Sequence, residues 1–348
     1  MSLITHNLFG EVYDKVKRAI SITQSFCPPD GYYFAYSGGK DSCAADEILD
    51  MAGVKYDKHY NVTTVDPPEL VRFIIRRHKY VIYDMPDGSH KYFKVHSTGK
   101  MLRPTEPPCI EGREVIHFNI PKMSMSQLIV HKQFPPTRLQ RYCCEYLKES
   151  SGASRITVTG VRGHESLNRK QNQGFVTIFD GKIGKIMAEA QGVNFTKTVR
   201  GGVVLNYDDD AARRTVEHCY RTSKVLVNPL LDFTDEDVWE FIRARNIPYC
   251  SLYDEGFKRL GCIGCPLGGF AAQRREFTRW PQYQKLYTSA FDKMLKAREE
   301  SGKTNHNRLW TSGEGIMRWW TGYDQGNNPD QISIFDLEEE FGLININQ

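Results

Sequence analysis

A six-residue stretch, SGGKDS at positions 37–42, combines the residue types that bind a phosphate group. Its two adjacent glycines let the backbone approach an anion closely, because they lack a Cβ atom and readily adopt positive φ angles. The serine hydroxyls and the lysine ammonium could donate hydrogen bonds to phosphate oxygens. The spacing is that of neither a Walker A loop, since an aspartate follows the lysine, nor a dinucleotide-binding glycine motif. The alternative is a glycine-rich turn that holds no ligand.

Four of the nine cysteines occur as two close pairs, a spacing that suits metal binding. Cys143 and Cys144 are adjacent in RYCCEYLK, and Cys262 and Cys265 form a Cys-x-x-Cys motif in GCIGCPLGG. Thiolates bind soft metals, and four of them can complete a tetrahedral zinc site or hold an iron–sulfur cluster. Adjacent cysteines cannot easily bind one zinc ion with relaxed geometry, but they can bind two different irons of a cubane. The spacing favours an iron–sulfur cluster, with zinc and metal-free thiols as alternatives.

Composition and charge indicate an ordinary globular protein and limit the partners to be expected. The chain has 348 residues, of which 40% are apolar and 25% charged, as in ordinary globular proteins. It contains no apolar run near the roughly 20 residues that span a bilayer, and its N-terminus lacks the layout of a signal peptide. We therefore expect a cytoplasmic protein with no membrane partner. The net charge of +4 permits a nucleic-acid partner without arguing for one.

The segments around the SGGKDS loop predict an α/β fold. YYFAY, before the loop, has the pattern of a buried strand, and DSCAADEILDMAG, after it, that of a helix closed by Gly53. YDKHYNVTTV is the next predicted strand and PELVRFIIRRH the next helix. This order predicts a doubly wound parallel sheet flanked by helices. A loop between a buried strand and a helix also directs backbone N–H groups at a bound phosphate.

The chain is predicted to have three segments. An N-terminal helix occupies 1–29, a nucleotide-binding domain 30–260, and a mostly helical region with the second cysteine pair 261–348. The domain contains a basic insertion at 76–110, in which aromatic residues alternate with lysines and arginines. We interpret the insertion as a solvated segment with a hairpin at PDGS. The alternative is a surface that contacts an anionic polymer.

With these residues in place, the chain resembles a known family. SGGKDS resembles the PP-loop of the ATP pyrophosphatases, whose fold is the adenine nucleotide alpha hydrolase-like fold. GVRGHESLNR at 160–169 resembles the Gly-x-Arg-x-x-Glu-Ser segment of the phosphoadenylyl-sulfate (PAPS) reductase-like branch, and NPLLDFTDEDVWEFI and IPYCSLYDEGFKRLGC are similar to the same branch. The resemblance, over roughly residues 30–270, implies that the loop binds ATP with Mg²⁺. It also implies that ATP is cleaved between its α and β phosphates while a substrate is adenylated.

The resemblance implies roles for matching residues. Arg162 is suited to a bidentate grip on phosphate or sulfate, and Glu165 could orient it; the alternative for Arg162 is a salt bridge within a loop. Asp41 or Asp66 could approach Mg²⁺. The expected catalytic residues are Lys40, Asp41 and Arg162. The expected ATP-binding residues are Ser37, Gly38, Gly39, Lys40, Asp41, Ser42, Asp66, Arg162 and Glu165.

The cysteine pattern is similar to that of the [4Fe-4S]-bearing members of this branch. The resemblance therefore implies that Cys143, Cys144, Cys262 and Cys265 bind such a cluster. Four thiolates leave no iron open for substrate sulfur. We therefore expect the cluster to tune electrostatics or to hold the fold, rather than to donate sulfur.

The cysteine content of the C-terminal tail distinguishes between two functions found within the branch. Sulfonucleotide reductases use a nucleophilic cysteine near the C-terminus to attack the sulfonyl sulfur, whereas residues 266–348 contain no cysteine. The chain instead looks most like the iron–sulfur ATP pyrophosphatases of DNA phosphorothioation systems, in which a cysteine desulfurase supplies sulfur and one backbone oxygen of DNA is replaced. This likeness implies a cysteine desulfurase and DNA as partners.

Two alternatives stay open. One is a sulfonucleotide reductase with a relocated or partner-supplied thiol, and the other an RNA-thiolating or nucleotide-sensing relative. Cys109, beside the basic insertion, is a candidate persulfide acceptor. For the C-terminal region we expect an ordinary helical cap with a solvated charged face. The alternative is a basic and aromatic surface for DNA. Its residues are Arg274, Arg275, Arg279, Lys285, Arg308, Trp280, Trp310, Trp319 and Trp320.

Overall fold

The computed structural model describes residues 3–6, 12–104, 113–149, 152, 154–179, 181–303 and 310–323. Cys109, Arg308 and residues 324–348 lie outside this part of the chain, so what was predicted for them stays a prediction. The described residues form two compact units. The first comprises those within Met1–Val62, Asp66–Pro121 and Leu147–Gly261. The second comprises those within Thr63–Val65, Lys122–Tyr146 and Cys262–Gln348.

The first unit is built on one large sheet. The strands of the chain are β1 (Ile4–His6), β2 (Val12–Asp14), β3 (Tyr32–Ala35), β4 (Tyr56–Asn61), β5 (Tyr80–Asp84), β6 (His90–Val95), β7 (Met101–Leu102), β8 (Val115–Asn119), β9 (Thr157–Val158), β10 (Val176–Ile178), β11 (Phe195–Lys197), β12 (Val203–Leu205) and β13 (Val225–Val227). The sheet order is β11-β12-β10-β13-β9-β3-β4-β8-β5-β6-β7. Strands β13, β9, β3, β4, β8 and β5 run parallel. The predicted α/β fold with a parallel sheet is confirmed for the centre, whereas both edges are antiparallel.

Helices follow most of the central strands. They are α1 (Lys15–Ser25), α2 (Lys40–Ala52), α3 (Pro68–Arg76), α4 (Met125–Lys132), α5 (Tyr142–Cys144), α6 (Leu167–Asn172), α7 (Gly181–Ala190), α8 (Asp210–Cys219), α9 (Asp235–Ala244), α10 (Phe270–Arg279), α11 (Pro281–Glu300) and α12 (Gly313–Trp320). Helix α2 ends where predicted, because Gly53 adopts a φ of 65° that other residues rarely take. Among the described residues, none of these helices is long and apolar enough to cross a bilayer.

Two sequence predictions need correction in the first unit. The segment 1–29 is not one helix, because the antiparallel pair of β1 and β2 precedes α1. The predicted solvated insertion 76–110 is wrong for β5, which pairs in parallel with β8 and buries Val81 and Ile82, whereas the residues of β6 are exposed or half-buried. Strands β5 and β6 form the hairpin expected at PDGS, where the Met85 N–H donates to the Ser89 carbonyl at 2.9 Å.

The second unit is helical and has an aromatic core. The Trp320 ring lies 4.8 Å from Tyr287 and 5.4 Å from Phe291, between centroids. Trp280, Trp310 and Trp320 are only 3–4% exposed, so nucleic-acid bases cannot stack on them. The alternative of an aromatic surface is therefore wrong for these three tryptophans, since large aromatic rings pack between helices here.

Candidate functional site

The SGGKDS loop connects β3 to α2 and has the geometry of an anion-binding loop. Gly38 has a φ of 72°, and a Cβ atom there would lie 2.6 Å from the Ile74 side chain, so only glycine fits. Gly39 is the N-cap residue of α2 and gives the helix no side-chain cap. The first N–H groups of a helix lack partners within the helix, and this end carries partial positive charge. A phosphate group at the start of α2 would meet both features.

The hydroxyl groups of the loop are held by local hydrogen bonds. Ser37 Oγ donates to Ser42 Oγ at 3.2 Å, and Ser42 Oγ donates to the Gly39 carbonyl at 2.9 Å. The Lys40 N–H donates to the Tyr253 hydroxyl at 2.9 Å. These bonds fix the loop shape and keep both serine oxygens beside the first turn of α2.

Four charged side chains form a closed set around this turn. Lys40 Nζ lies 2.8 Å from an Asp235 oxygen and 3.2 Å from an Asp41 oxygen. Arg162 Nη2 lies 3.0 Å from Asp235, and its Nε lies 2.7 Å from Asp41. Both cations are buried, with side chains 4% and 6% exposed. Each cation contacts both carboxylates, so the charges balance.

The arginine of this set keeps donor capacity. The contact from Arg162 Nε to Asp41 has the distance of an ion pair but not the alignment of a hydrogen bond, so this buried N–H has no acceptor among the described residues. Buried donors without an acceptor are rare in folded proteins. A bound anion would satisfy this one.

The GVRGHES segment is fitted closely to the loop. A Cβ atom at Gly160 would lie 2.9 Å from the Asp41 carbonyl carbon, so a larger residue would push the segment away from α2. Glu165 is 3.9 Å from Arg162 Nη2 and also pairs with Arg169. The expected contact between Glu165 and Arg162 is therefore present but long, and Asp41 and Asp235 are the nearer partners of the arginine.

Asp66 is the remaining residue that was predicted to bind ATP. It is 8% exposed and precedes α3, the helix whose Ile74 packs against Gly38. Its predicted approach to Mg²⁺ therefore stays a prediction.

Two residues of the site were missed from the sequence. Asp235 is the first residue of α9, and Thr234 is the N-cap residue of that helix. Acidic residues in the first turn of a helix are explained by the helix dipole alone, so Asp235 did not stand out in the sequence as a site residue. Burial acts to raise the pKa of Asp235, but the hydrogen bond and charge of Lys40 and the charge of Arg162 outweigh it, so this pKa lies below its usual value. Both Asp235 and Tyr253 fall in stretches that resemble the PAPS reductase-like branch, and that was the available signal.

All four predicted metal-binding cysteines belong to the second unit. Cys143 and Cys144 lie on α5, and Cys262 and Cys265 flank a turn closed by the Cys265 N–H and the Cys262 carbonyl at 3.2 Å. The pKa of the Cys143 thiol is raised by its hydrogen bond with Cys144, by burial, and by the charges of the other three cysteines. The same thiols raise the pKa of Tyr287, after burial. Cys143 is thus within electrostatic range of the other three cysteines.

This donor set fits a metal centre. Several thiols close together resist ionisation, and a cationic metal centre relieves that repulsion by binding thiolates. None of the described cysteines is in a disulfide. The turn is tightly built, since Gly264 has a φ of 74° and a Cβ atom there would lie 2.4 Å from the Phe277 ring.

Comparisons with known proteins agree with the predicted likeness. The family model of the phosphoadenosine phosphosulfate reductase domain matches residues 116–267. An adenosine 5′-phosphosulfate reductase of Staphylococcus haemolyticus is 32% identical over 65 residues, which are 19% of this chain and 27% of that protein. An uncharacterized protein of Methanocaldococcus jannaschii is 33% identical over 97 residues, 28% of this chain and 21% of that protein. The chain thus spans less than a third of these relatives' length. Parts of this chain are thus similar to the phosphoadenosine phosphosulfate reductase domain and to adenosine 5′-phosphosulfate reductases.

Solved structures were also similar at low identity. A PAPS reductase of Candida auris in a phosphate complex is 11% identical, with 74% of this chain and 97% of that chain covered and a TM-score of 0.35. An FMN adenylyltransferase of Candida glabrata is 14% identical, with 72% and 62% covered and a TM-score of 0.35. These TM-scores are too low to support an argument about function, so the fold assignment rests on the strand order and pairing described above.

Proposed function

We propose that this protein is an ATP pyrophosphatase that adenylates a substrate for sulfur insertion. An oxygen nucleophile of the substrate attacks the α-phosphorus of ATP, the bond between the α-phosphorus and the bridging oxygen breaks, and pyrophosphate leaves with that electron pair. The observation that carries the proposal is the buried Arg162 beside the SGGKDS loop, with an N–H that has no acceptor among the described residues.

The residues of the loop have distinct tasks in this reaction. Ser37, Ser42 and the N–H groups of the first turn of α2 that follow Lys40 bind phosphate oxygens, and Gly38 allows the close approach. Lys40 and Arg162 exchange part of their contact with the carboxylates for contact with the phosphates. Phosphoryl-type transfer depends chiefly on such positioning and charge neutralisation.

Asp41 and Asp235 suit the magnesium ion that accompanies ATP. Each carboxylate contacts both Lys40 and Arg162 beside the loop. Mg²⁺ binds through one or two carboxylates and substrate phosphates while keeping several waters, and it supplies charge neutralisation when bound. The two carboxylates would hold it at the phosphates once the cations have turned toward the nucleotide.

The four predicted metal-binding cysteines would hold a [4Fe-4S] cluster. All four belong to the second unit, and none of the described cysteines is in a disulfide. A cluster bound there would tie α5 to the Cys262–Cys265 turn. With four protein ligands it has no open iron, so it would stabilise that unit rather than carry sulfur.

DNA is the proposed sulfur acceptor and a cysteine desulfurase the proposed sulfur source, from the resemblance to phosphorothioation enzymes. Sulfonucleotide reduction is the second candidate, and the named relatives favour it, because several are adenosine 5′-phosphosulfate reductases. Residues 266–348 contain no cysteine to attack the sulfonyl sulfur, which favours the first candidate.

The test uses anaerobically purified protein with its cysteine site loaded. It is given Mg-ATP with DNA and a cysteine desulfurase or, separately, each adenylyl-sulfate with thioredoxin, and pyrophosphate and sulfite are assayed. We expect pyrophosphate from ATP in wild type and its loss in Lys40→Ala. Sulfite release without pyrophosphate would replace the proposal with the reductase.

A further inference from the structure

We propose that His59, Asp84 and His117, here named the histidine group, bind a divalent transition-metal ion of the Zn²⁺ class. One ligand atom from each residue lies within 4.8 Å of the other two. The group belongs to the first unit and shares no residue with the SGGKDS loop or with the cysteines. Two imidazoles and one carboxylate form a common ligand set for such ions.

Strand register brings the group together. His59 on β4 lies directly opposite His117 on the parallel strand β8. On the other side of β8, Asp84 of β5 lies opposite Asn119, two residues beyond His117. Residues two apart on a strand point to the same face, so all three side chains emerge on one face of the sheet. A central strand thus places its histidine between a histidine and an aspartate.

The separations suit a shared ion. Two ligand atoms that are each about 2.1 Å from a tetrahedral ion lie about 3.4 Å apart. His117 Nδ1 is 3.0 and 3.3 Å from the two Asp84 oxygens, and His59 Nδ1 is 3.9 Å from the nearer one. The two histidine rings stack with centroids 4.6 Å apart. Small side-chain rotations would bring all three ligand atoms onto one ion.

The surroundings hold one ring in place. Tyr33 stacks on His59 with ring centroids 4.0 Å apart, and Asn119 Oδ1 lies 3.3 Å from His59 Nδ1. Asn119 is itself fixed, since its amide donates to the Tyr33 hydroxyl at 2.7 Å and to Asn61 at 2.6 Å. Stacking on Tyr33 orients the His59 ring, whereas the Asn119 contact uses the same Nδ1 and would be exchanged for the ion when His59 binds through that atom.

Access and a further donor complete the site. The side chains of His59, Asp84 and His117 are 13%, 21% and 24% exposed, so an ion can enter but most water is excluded. His90, on the exposed hairpin, places Nδ1 2.7 Å from Asp84. His90 is the candidate for a fourth ligand, and a bound ion would then fasten the β5–β6 hairpin to the centre of the sheet.

The test measures Zn²⁺ bound by the full chain with its cysteine site loaded, using equilibrium dialysis and metal analysis. We expect wild type to bind about one ion more than His117→Ala, because removing a direct ligand should exceed the 10–100-fold loss of affinity typical of outer partners. Asp84→Asn keeps the side-chain shape and should show the same loss. His218→Ala, at an exposed histidine elsewhere in the unit, is the matched control and should bind as wild type does.

A second readout identifies the ligand atoms. Co²⁺ bound by nitrogen and oxygen gives visible d–d bands without the intense near-ultraviolet charge-transfer band that thiolate ligands give. We expect such bands in wild type and Cys265→Ser, and their loss in His117→Ala and Asp84→Asn. Equal Zn²⁺ binding by wild type and both histidine-group variants, with unchanged circular dichroism, would overturn the proposal and leave a hydrogen-bonded polar cluster.

Discussion

The SGGKDS loop and the histidine group lie in the same unit, but their charges are balanced in different ways. At the loop, Lys40 and Arg162 each contact both Asp41 and Asp235, so cations and anions are equal in number. In the histidine group, imidazoles surround a single carboxylate. Burial and the charge of His117 lower the pKa of His59 to about 4, so that ring is neutral at pH 7.

This difference in charge balance indicates which kind of ligand each region can bind. Cations that each contact two carboxylates can exchange part of those contacts for an anionic ligand that brings its own cation, such as a polyphosphate with its magnesium ion. Imidazole rings beside a single carboxylate instead offer nitrogen and oxygen ligands to a cation. The buried pair of Lys58 and Asp46, 2.8 Å apart on the opposite face of β4, shows a third case in which paired charges serve only the fold.

The largest effect should come from that buried pair. Asp46→Ala leaves the Lys58 ammonium buried without its carboxylate, since both side chains are 2% exposed. We expect the free energy of unfolding to fall by about 3–5 kcal/mol in a denaturant titration. The double variant Asp46→Leu, Lys58→Met should recover most of this loss. A double variant as unstable as Asp46→Ala would mean that packing, rather than the unpaired charge, sets the effect.

The next effect is on activity. Arg162→Ala removes a buried cation from the loop and should slow pyrophosphate release by about 10²–10³-fold, as when one transition-state hydrogen-bond donor is lost. Arg213→Ala is the control, because Arg213 pairs with Asp210 on the surface of the same unit. Equal rates for the two variants would place Arg162 outside the catalytic machinery and leave it a structural salt bridge.

A smaller effect separates loop shape from loop charge. Gly38→Ala should destabilise the protein by about 1–3 kcal/mol because φ is 72° and Ile74 occupies the Cβ position. Gly53 has a φ of 65° with open space around it, so Gly53→Ala isolates the backbone part of this loss. We expect Gly38→Ala to be the less stable in thermal unfolding and to weaken ATP binding, and Gly53→Ala to bind ATP normally. Matching losses of stability would show that the Ile74 contact relaxes freely.

The smallest effect concerns pH. The folded-state pKa of Asp235 lies below its usual 3.8, so its ionised form stabilises the fold above that pH, and this contribution is lost as the pH falls through the folded-state pKa. The side chain is 54% exposed, so the contribution should stay under about 1 kcal/mol. We expect wild type to be more stable than Asp235→Asn at pH 6–7, with the difference vanishing in acid. A difference that grows in acid would contradict the assigned ion pairs.

How much the sequence could predict depends on where the information lies along the chain. SGGKDS is contiguous, so its residue types and the strand and helix beside it were enough to predict the loop and the α/β fold. The two cysteine pairs were also recognisable, because each is local. Asp235 and Tyr253 reach the loop from distant segments. Apart from the likeness of those segments to the PAPS reductase-like branch, nothing in their own neighbourhoods indicates that contact.

The histidine group could not be predicted either, because its residues are also distant from one another along the chain. Its residues lie on three strands, and only the parallel pairing of β4 and β5 with β8 aligns them. The burial of Trp280, Trp310 and Trp320 could not be predicted for a different reason, since buried and exposed tryptophans look alike in a helical pattern until the packing of the helices is known.

The most direct test of the proposed nucleotide chemistry is the identity of the products. Mg-ATP is incubated with the anaerobic protein, DNA and a cysteine desulfurase with its cysteine, and the phosphorus species are followed by ³¹P NMR. The account predicts AMP or an adenylate together with pyrophosphate, from cleavage between the α and β phosphates. ADP with inorganic phosphate, or intact ATP beside sulfite release in a parallel adenylyl-sulfate reaction, would contradict it.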